Sequence, residues 1–221
     1  MPASQRPVLL LTRPEPDSQR FAAMLPEWRA VIAPVLRIVP VAHDADALHR
    51  AAGLVFTSAH AVASAGPGRG RLAICVGART ADIAQAAGFR VQVGNGFADS
   101  LPPLIDAAGC ALIHPHGRHL AKDLGVPGVV VYDQQAQALT PQARGVLAGN
   151  APVVVPVFSP RSARLVADAL RDARAPIWLV AISAAADRAC DVTVARRIVA
   201  AVPTVDAMRD GVLQSLQPEQ S

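Results

Sequence analysis

Four short apolar runs in this chain end alike, in a hydroxyl or a glycine followed at once by a helix-compatible segment. They are Leu54-Val55-Phe56 before Thr57-Ser58, Leu72–Val76 before Gly77, Pro152–Phe158 before Ser159, and Ile177–Ile182 before Ser183. Unbroken apolar runs of this length, punctuated rather than alternating, read as strands buried on both faces. Strands that repeatedly feed helices demand crossover connections, and so a parallel sheet. The junctions also have a chemistry. The first N–H groups of a helix lack internal partners and its dipole adds positive potential there, so each junction is a ready anion site. In open α/β sheets, ligands lie beyond the carboxyl ends of the strands.

The remaining segments fill in the pattern. Val8 to Leu11 is a buried strand broken by Thr12-Arg13-Pro14, and Asp17 or Ser18 caps a helix with Phe21, Met24 and Leu25 on its apolar face. Val31 to Val41 carries Pro34 and Pro40 and reads as an extended connector or edge strand. A helix from about Ala81 turns Ile83, Ala84 and Ala87 inward and stops at Gly88. Asp99 or Ser100 caps a helix with Leu101, Leu104 and Ile105. Ala111 to Ile113 is a short strand, and His114 to His119 reads as a polar loop. Val129 to Tyr132 and Ile198 to Val202 are strands. Thr204 caps a last helix with Val205, Met208, Val212, Leu213 and Leu216 inward. One series (Phe56-Thr57-Ser58, Val76-Gly77-Ala78, Val91-x-Val93, then a Leu/Ile-rich helix) matches another in order and spacing. That second series is Phe158-Ser159-Pro160, Ile182-Ser183-Ala184, Ile198-Val199, then a Leu/Val-rich helix. A duplicated α/β unit, hence two like domains, is expected.

Composition limits the function. The chain has 221 residues, 52% hydrophobic and 17% charged, which is ample for a core and excludes disorder as the main state. Its net charge of +4 and pI near 9.6 favour an acidic small ligand. No basic block occurs and aromatics are only 4%, so a nucleic-acid surface is not expected. No run has the length of a membrane span, and Val8 to Leu11 is too short for a signal-peptide core, so a cytoplasmic protein is expected. Cys75, Cys110 and Cys190 form no C-x-x-C and read as small core residues.

Each candidate site residue has a plain structural reading beside the functional one. Thr57-Ser58 and Ser159 are helix N-caps that also face an anion site. Gly77 makes a tight turn or lets a ligand approach the backbone, with Thr80 as a further hydroxyl donor. Arg13 and Arg161 sit just past strands, where each could pair with a carboxylate. His114, His116 and His119 have no metal-ligand spacing and are read as loop polarity rather than a metal site. Tyr132 is the sole tyrosine, either a half-buried core residue or a proton donor, and the sequence leaves both open.

Together, Leu10-Leu11-Thr12-Arg13-Pro14, Val55-Phe56-Thr57-Ser58, Val76-Gly77-x-x-Thr80-Ala81, Tyr132 after a valine run, and Val157-Phe158-Ser159-Pro160-x-Ser162 resemble the uroporphyrinogen-III synthase family over essentially the whole chain. The resemblance implies two flavodoxin-like, parallel-sheet α/β domains joined by a two-stranded linker. One comprises residues 1–36 plus 137–221, the other residues 37–136, with crossings near Val35–Val41 and Val131–Ala138. The family converts hydroxymethylbilane to uroporphyrinogen III with loss of water, inverting the terminal ring D through a proposed spiro intermediate. The resemblance implies no metal and no cofactor. The expected partner is that small-molecule substrate, with neither nucleic acid nor membrane, and a monomer is expected. Tyr132 matches the tyrosine thought to assist loss of the hydroxyl, and Thr57, Ser58, Thr80 and Ser159 match cleft-facing positions. Arg13, Gly77, Gly117 and Ser183 complete the expected set of substrate-binding residues. The chain departs from the family where Ser183-Ala184-Ala185-Ala186 replaces a common Gly-Pro-Thr-Thr, and where His60 stands at a position that is often basic or variable. Two other readings compete: a non-catalytic two-lobed module for an anionic metabolite or tetrapyrrole, and a sugar-phosphate or nucleotide enzyme.

Overall fold

Apolar runs that cannot leave their backbone unpaired settle into two sheets. The structure is a computed structural model that describes residues 6–120 and 122–217. The chain divides into two units, Met1–Arg37 with Ala136–Ser221, and Ile38–Gln135. The fold is α/β with parallel sheets.

The first unit contains β1 (Val8–Leu11), α1 (Glu15–Ala23) and β2 (Arg29–Ile32), and resumes with α5 (Pro141–Leu147), β9 (Val153–Val157), α6 (Pro160–Leu170), β10 (Ile177–Ala181), α7 (Ala184–Ala189), β11 (Arg196–Val199) and α8 (Val205–Gln214). Its strands lie in the order β11-β10-β9-β1-β2, and all pairs are parallel. Alternation along β1 divides its side chains between two cores. Val8 and Leu10 pack with residues of α5, α6 and α7, whereas Leu9 and Leu11 pack with Phe21 of α1 and Met208 and Val212 of α8. Both faces are therefore covered, as parallel sheets require.

The second unit contains α2 (Ala45–Arg50), β4 (Gly53–Phe56), a 3₁₀ segment Ala59–Ala65, β5 (Leu72–Cys75), α3 (Ala78–Ala86), β6 (Arg90–Val93), α4 (Pro102–Asp106) and β7 (Leu112–Gly117). Two longer strands, β3 (Leu36–Pro40) and β8 (Gly128–Ala136), flank it in sequence, and the sheet order is β3-β8-β7-β4-β5-β6. From β8 to β6 every pair is parallel. The Gln137 N–H donates to Val35 O, and the Val41 N–H donates to Val131 O. The two registers move in opposite senses, so β3 runs antiparallel to β8. In this unit β7 and β8 stand where β1 and β2 stand in the other, and β4, β5 and β6 stand where β9, β10 and β11 do. The order is the same, but the chain enters it at a different strand.

Several local expectations are revised. α1 starts at Glu15 behind Pro14, so neither Asp17 nor Ser18 caps it; both are buried within its first turns. Ser100 accepts from the Asn95 N–H instead of capping α4. Ile83 is 40% exposed, because α3 begins at Ala78 and turns Thr80, Ala81 and Ala84 to the sheet. Val205, Leu213 and Leu216 are exposed, and Met208 and Val212 carry the buried face of α8. β11 starts two residues early, at Arg196, and Val202 lies beyond it. Arg196 fits a strand because its guanidinium lies 5.1 Å over the Trp178 ring. The largest revision concerns His114 to Gly117, read as a loop but folded as the second half of β7, with His114 and His116 buried. No helix among the described residues is long and apolar enough to cross a membrane.

Candidate active site

In the second unit, β7, β4 and β5 are adjacent and parallel, so Gly117, Thr57-Ser58 and Gly77 fall on one edge of the sheet, at the carboxyl ends of the strands. β8 adds Tyr132 beside Gly117. The pairing from His114↔Gly128 to His116↔Val130 is regular, and then a bulge brings Gly117 opposite Tyr132. Bulges add a residue to one strand and re-aim its side chains. Here the consequence is that consecutive residues, Val131 and Tyr132, are buried in the same core cluster. A strand without the bulge would send them to opposite faces. Gly117 makes the seat. A Cβ there would lie 2.5 Å from Cε2, 2.6 Å from Cζ and 2.9 Å from the hydroxyl oxygen of Tyr132. The phenol end of the ring thus lies close against the Gly117 backbone. Tyr132 is only 6% exposed, and no group among the described residues bonds its hydroxyl. His60, half-buried on the 3₁₀ segment, presents its ring at 6.0 Å and 67° to that of Tyr132.

Behind this edge lies a pair of imidazoles. Alternation puts His114 and His116 on one face of β7, with ring centroids 4.9 Å apart. His114 Nε2 is 3.0 Å from Thr57 Oγ1, and His116 Nδ1 is 2.7 Å from Gly117 O, to which it donates. Gly128, opposite them, leaves room: a Cβ there would lie 2.5 Å from His116 Nε2. Burial first, then the neighbouring His116, push His114 down to about 4, with Asp123 opposing. Unfolding returns it to its ordinary value of 6.5, so between those values the unfolded chain binds a proton that the folded chain refuses. Stability is therefore lost as pH falls through this window, by about 3 kcal/mol on reaching pH 4. Urea midpoints at pH 7 and pH 4.5 should fall further apart in the wild type than in His114→Gln. Equal spacing would mean that His114 does not carry the effect.

In the first unit, β10, β9 and β1 are likewise adjacent and parallel, so Ser183, Ser159 and Thr12-Arg13 share one edge. The Ser159 hydroxyl accepts from the Ser162 N–H at 3.1 Å and that of Ser183 from the Ala186 N–H at 3.3 Å. In the second unit Ser58 accepts from the His60 N–H in the same way. The Ser58 and Ser183 oxygens, used as acceptors, keep their own hydrogens for a ligand, whereas the Ser159 hydroxyl also lies 2.9 Å from Ser162 Oγ. The Arg13 guanidinium lies 4.1 Å over the Phe158 ring and 3.8 Å from Asp17, which is buried and also bonded by Arg20. Phe21 meets Phe158 edge-on at 5.2 Å. The guanidinium is held by stacking and charge before any ligand arrives.

Each interaction straddles the strand-order reversal of its own sheet, Arg13–Phe158 between β1 and β9 and Thr57–His114 between β4 and β7. Doubly wound sheets open their ligand crevice at that point. Among the expected residues, Arg13, Ser159 and Ser183 come together in one unit, and Thr57, Ser58, Gly77, Gly117 and Tyr132 in the other. Thr80 is 5% exposed and packs inward from the first turn of α3. Gly77 has ordinary extended backbone, and its missing side chain admits Gly96, whose Cα would lie 3.2 Å from a Cβ. Arg161 lies in the first turn of α6. His60, His114, His116, Phe158 and Asp17 were not foreseen in these places. The His-x-His alternation was a strand signal, and Arg13, Asp17 and Arg20 have helix-face spacing. An apolar cavity of about 430 Å³, lined by Arg6, Pro7, Glu27, Trp28, Arg29 and Leu216, lies at the amino edge of the first unit, away from these groups. Its lining has no hydroxyl side chain and no helix start.

A family model described as uroporphyrinogen-III synthase HemD matches residues 27–210. No curated protein matches. Among solved structures, the uroporphyrinogen-III synthetase of Helicobacter pylori 26695 is similar with a TM-score of 0.66 and 14% sequence identity, covering 96% of this chain and 100% of that one. At that identity the likeness is one of fold.

Proposed function

The chain belongs to the uroporphyrinogen-III synthase family, and from that premise we propose how its residues serve the reaction of that family. It is a cyclising lyase of tetrapyrrole biosynthesis that turns hydroxymethylbilane into uroporphyrinogen III with ring D inverted and water lost. The family's two-lobed, flavodoxin-like arrangement with a two-stranded linker is adopted for this chain, supported by the matching strand order of the two units and by the antiparallel β3–β8 pair.

The substrate carries eight carboxylates and closes unaided to the wrong isomer, so orientation is the main task. Arg13 takes a carboxylate, its guanidinium already stacked on Phe158. The Ser58, Ser159 and Ser183 hydroxyls and their helix starts take others, the helix dipole adding about 0.3–1 kcal/mol at each start. Thr57 donates in the same way, Gly77 admits Gly96 and Gly117 seats the Tyr132 ring, and Thr80 supports the α3 start by packing. Tyr132 gives its proton to the departing hydroxyl as the C–O bond breaks and water leaves. The proton released when the ring-closing carbon regains aromaticity restores the phenol, so the step needs no net acid. The observation that carries this reading is the seat of Tyr132, a phenol with an unbonded hydroxyl held against Gly117 by a bulge at the carboxyl edge of a sheet.

Enzymatically generated hydroxymethylbilane, followed by isomer analysis, tests it. Wild-type protein should give the type III isomer. Tyr132→Phe should retain its fold and slow turnover on the order of tenfold, below the usual contribution of a positioned acid because this hydroxyl leaves readily. Type I product alone, or substrate bound tightly without closure, would refute the assignment of these residues.

A further inference from the structure

We infer that His114 is a positioning residue, a neutral imidazole whose Nε2–H donates to Thr57 Oγ1 and so turns the hydrogen of that hydroxyl outward to a substrate carboxylate. The inference rests on the reading of Thr57 as a carboxylate donor. A hydroxyl bonded to nothing rotates freely, and one that donates inward offers an anion only lone pairs. The 3.0 Å contact fixes the oxygen, and an imidazole that donates to it bars the hydroxyl hydrogen from pointing back at the ring. The surroundings hold the ring in turn. His114 is 2% exposed, the His116 ring packs 4.9 Å away, and His116 is anchored by its own bond to Gly117 O. Gly128 pairs with His114 across the ladder and leaves space for the His116 ring that packs against it. Burial keeps the ring uncharged at neutral pH. The contact also occupies, in its unit, the strand-order reversal that Arg13 and Phe158 occupy in the other. There the ligand group is fixed by stacking, and here by a hydrogen bond.

Two measurements test this on the full chain. Nitrogen-15 spectra of the imidazoles should show His114 protonated on Nε2, with that signal shifted in Thr57→Val. This arm is independent of activity, and a proton on Nδ1 would overturn the inference even if the enzyme cyclises normally. The second is a kinetic cycle with hydroxymethylbilane. Thr57→Val and His114→Leu should each raise KM about tenfold with kcat nearly unchanged, the loss of one hydrogen bond to a charged group. The double variant should be no worse than either single one, because both remove the same interaction. His114→Gln, which can place an N–H near the Nε2 position, should restore most of the loss and guards against a folding artefact. Effects that multiply in the double variant, or a glutamine as weak as the leucine, would overturn the inference. A wild type that makes no type III isomer would instead count against the activity assigned to the site.

Discussion

Gly117→Ala is expected to lower kcat/KM for the type III isomer about a hundredfold, more than removal of the Tyr132 hydroxyl itself, because a group displaced by about 1 Å commonly costs that much. The reason is steric. A methyl at 117 would overlap two ring carbons and the hydroxyl oxygen of Tyr132 at 2.5–2.9 Å, and the ring cannot slide deeper because it already lies in the core of its unit. It must swing toward the sheet edge, where it misplaces the phenol and fills space meant for substrate. Overpacking of this kind also destabilises, by about 1–3 kcal/mol. Tyr132→Phe would not rescue the alanine variant, since two of the three contacts are ring carbons. Isomer-resolved kinetics with a parallel denaturation curve checks the prediction. Activity within threefold of wild type would show that the seat is not needed.

Arg71→Ala should destabilise the second unit by about 2–4 kcal/mol, the scale of a broken buried network discounted for partial exposure. The side chain reaches six carbonyls. Nη1 donates to Leu48 O at 2.7 Å, His49 O at 3.2 Å and Ala51 O at 3.3 Å. Nη2 donates to Ala65 O and Pro67 O, and Nε to Gly68 O. Those carbonyls end α2, the 3₁₀ segment and the loop before β5, where helix C-termini leave acceptors unpaired. The guanidinium also lies 5.1 Å from the Phe89 ring centroid. Burial, and then Arg69, lower its proton affinity, but a guanidinium remains charged at neutral pH. Lysine has three donors on a point charge and cannot reproduce the planar fork, so Arg71→Lys should recover less than half of the loss. Denaturant midpoints at constant slope measure both variants. A shift under 1 kcal/mol in the alanine variant would remove Arg71 from the list of structural anchors.

The strand–helix grammar was legible because parallel strands are apolar on both faces and their junctions need caps. Thr57, Ser159 and Ser183 were visible for that reason, and so was Tyr132 as a lone phenol on a valine strand. What escaped detection depends on partners distant in sequence. His114 is polar and looks like loop, but 57 residues upstream Thr57 supplies a hydrogen bond, and so it can be buried in a strand, while Gly128 supplies the room for His116 beside it. The bulge beside Tyr132 leaves no local mark, because its cause is a mismatch between β7 and β8 rather than a residue type. Ile83 and Leu213 were placed inward by apolarity alone. In α3 the inward face is made by Ala81 and Ala84, and Ile83 lies about 100° round the helix from Ala84, toward solvent. Thr80 flanks that inward face and so packs against the sheet.

The antiparallel β3–β8 pair means that the polypeptide leaves and re-enters the first unit at neighbouring points. A hairpin turn joining residue 37 to residue 136 would therefore close the first unit without disturbing a strand of its sheet. The second unit repeats the strand order of the first, entered at a different strand, within the span between those two points.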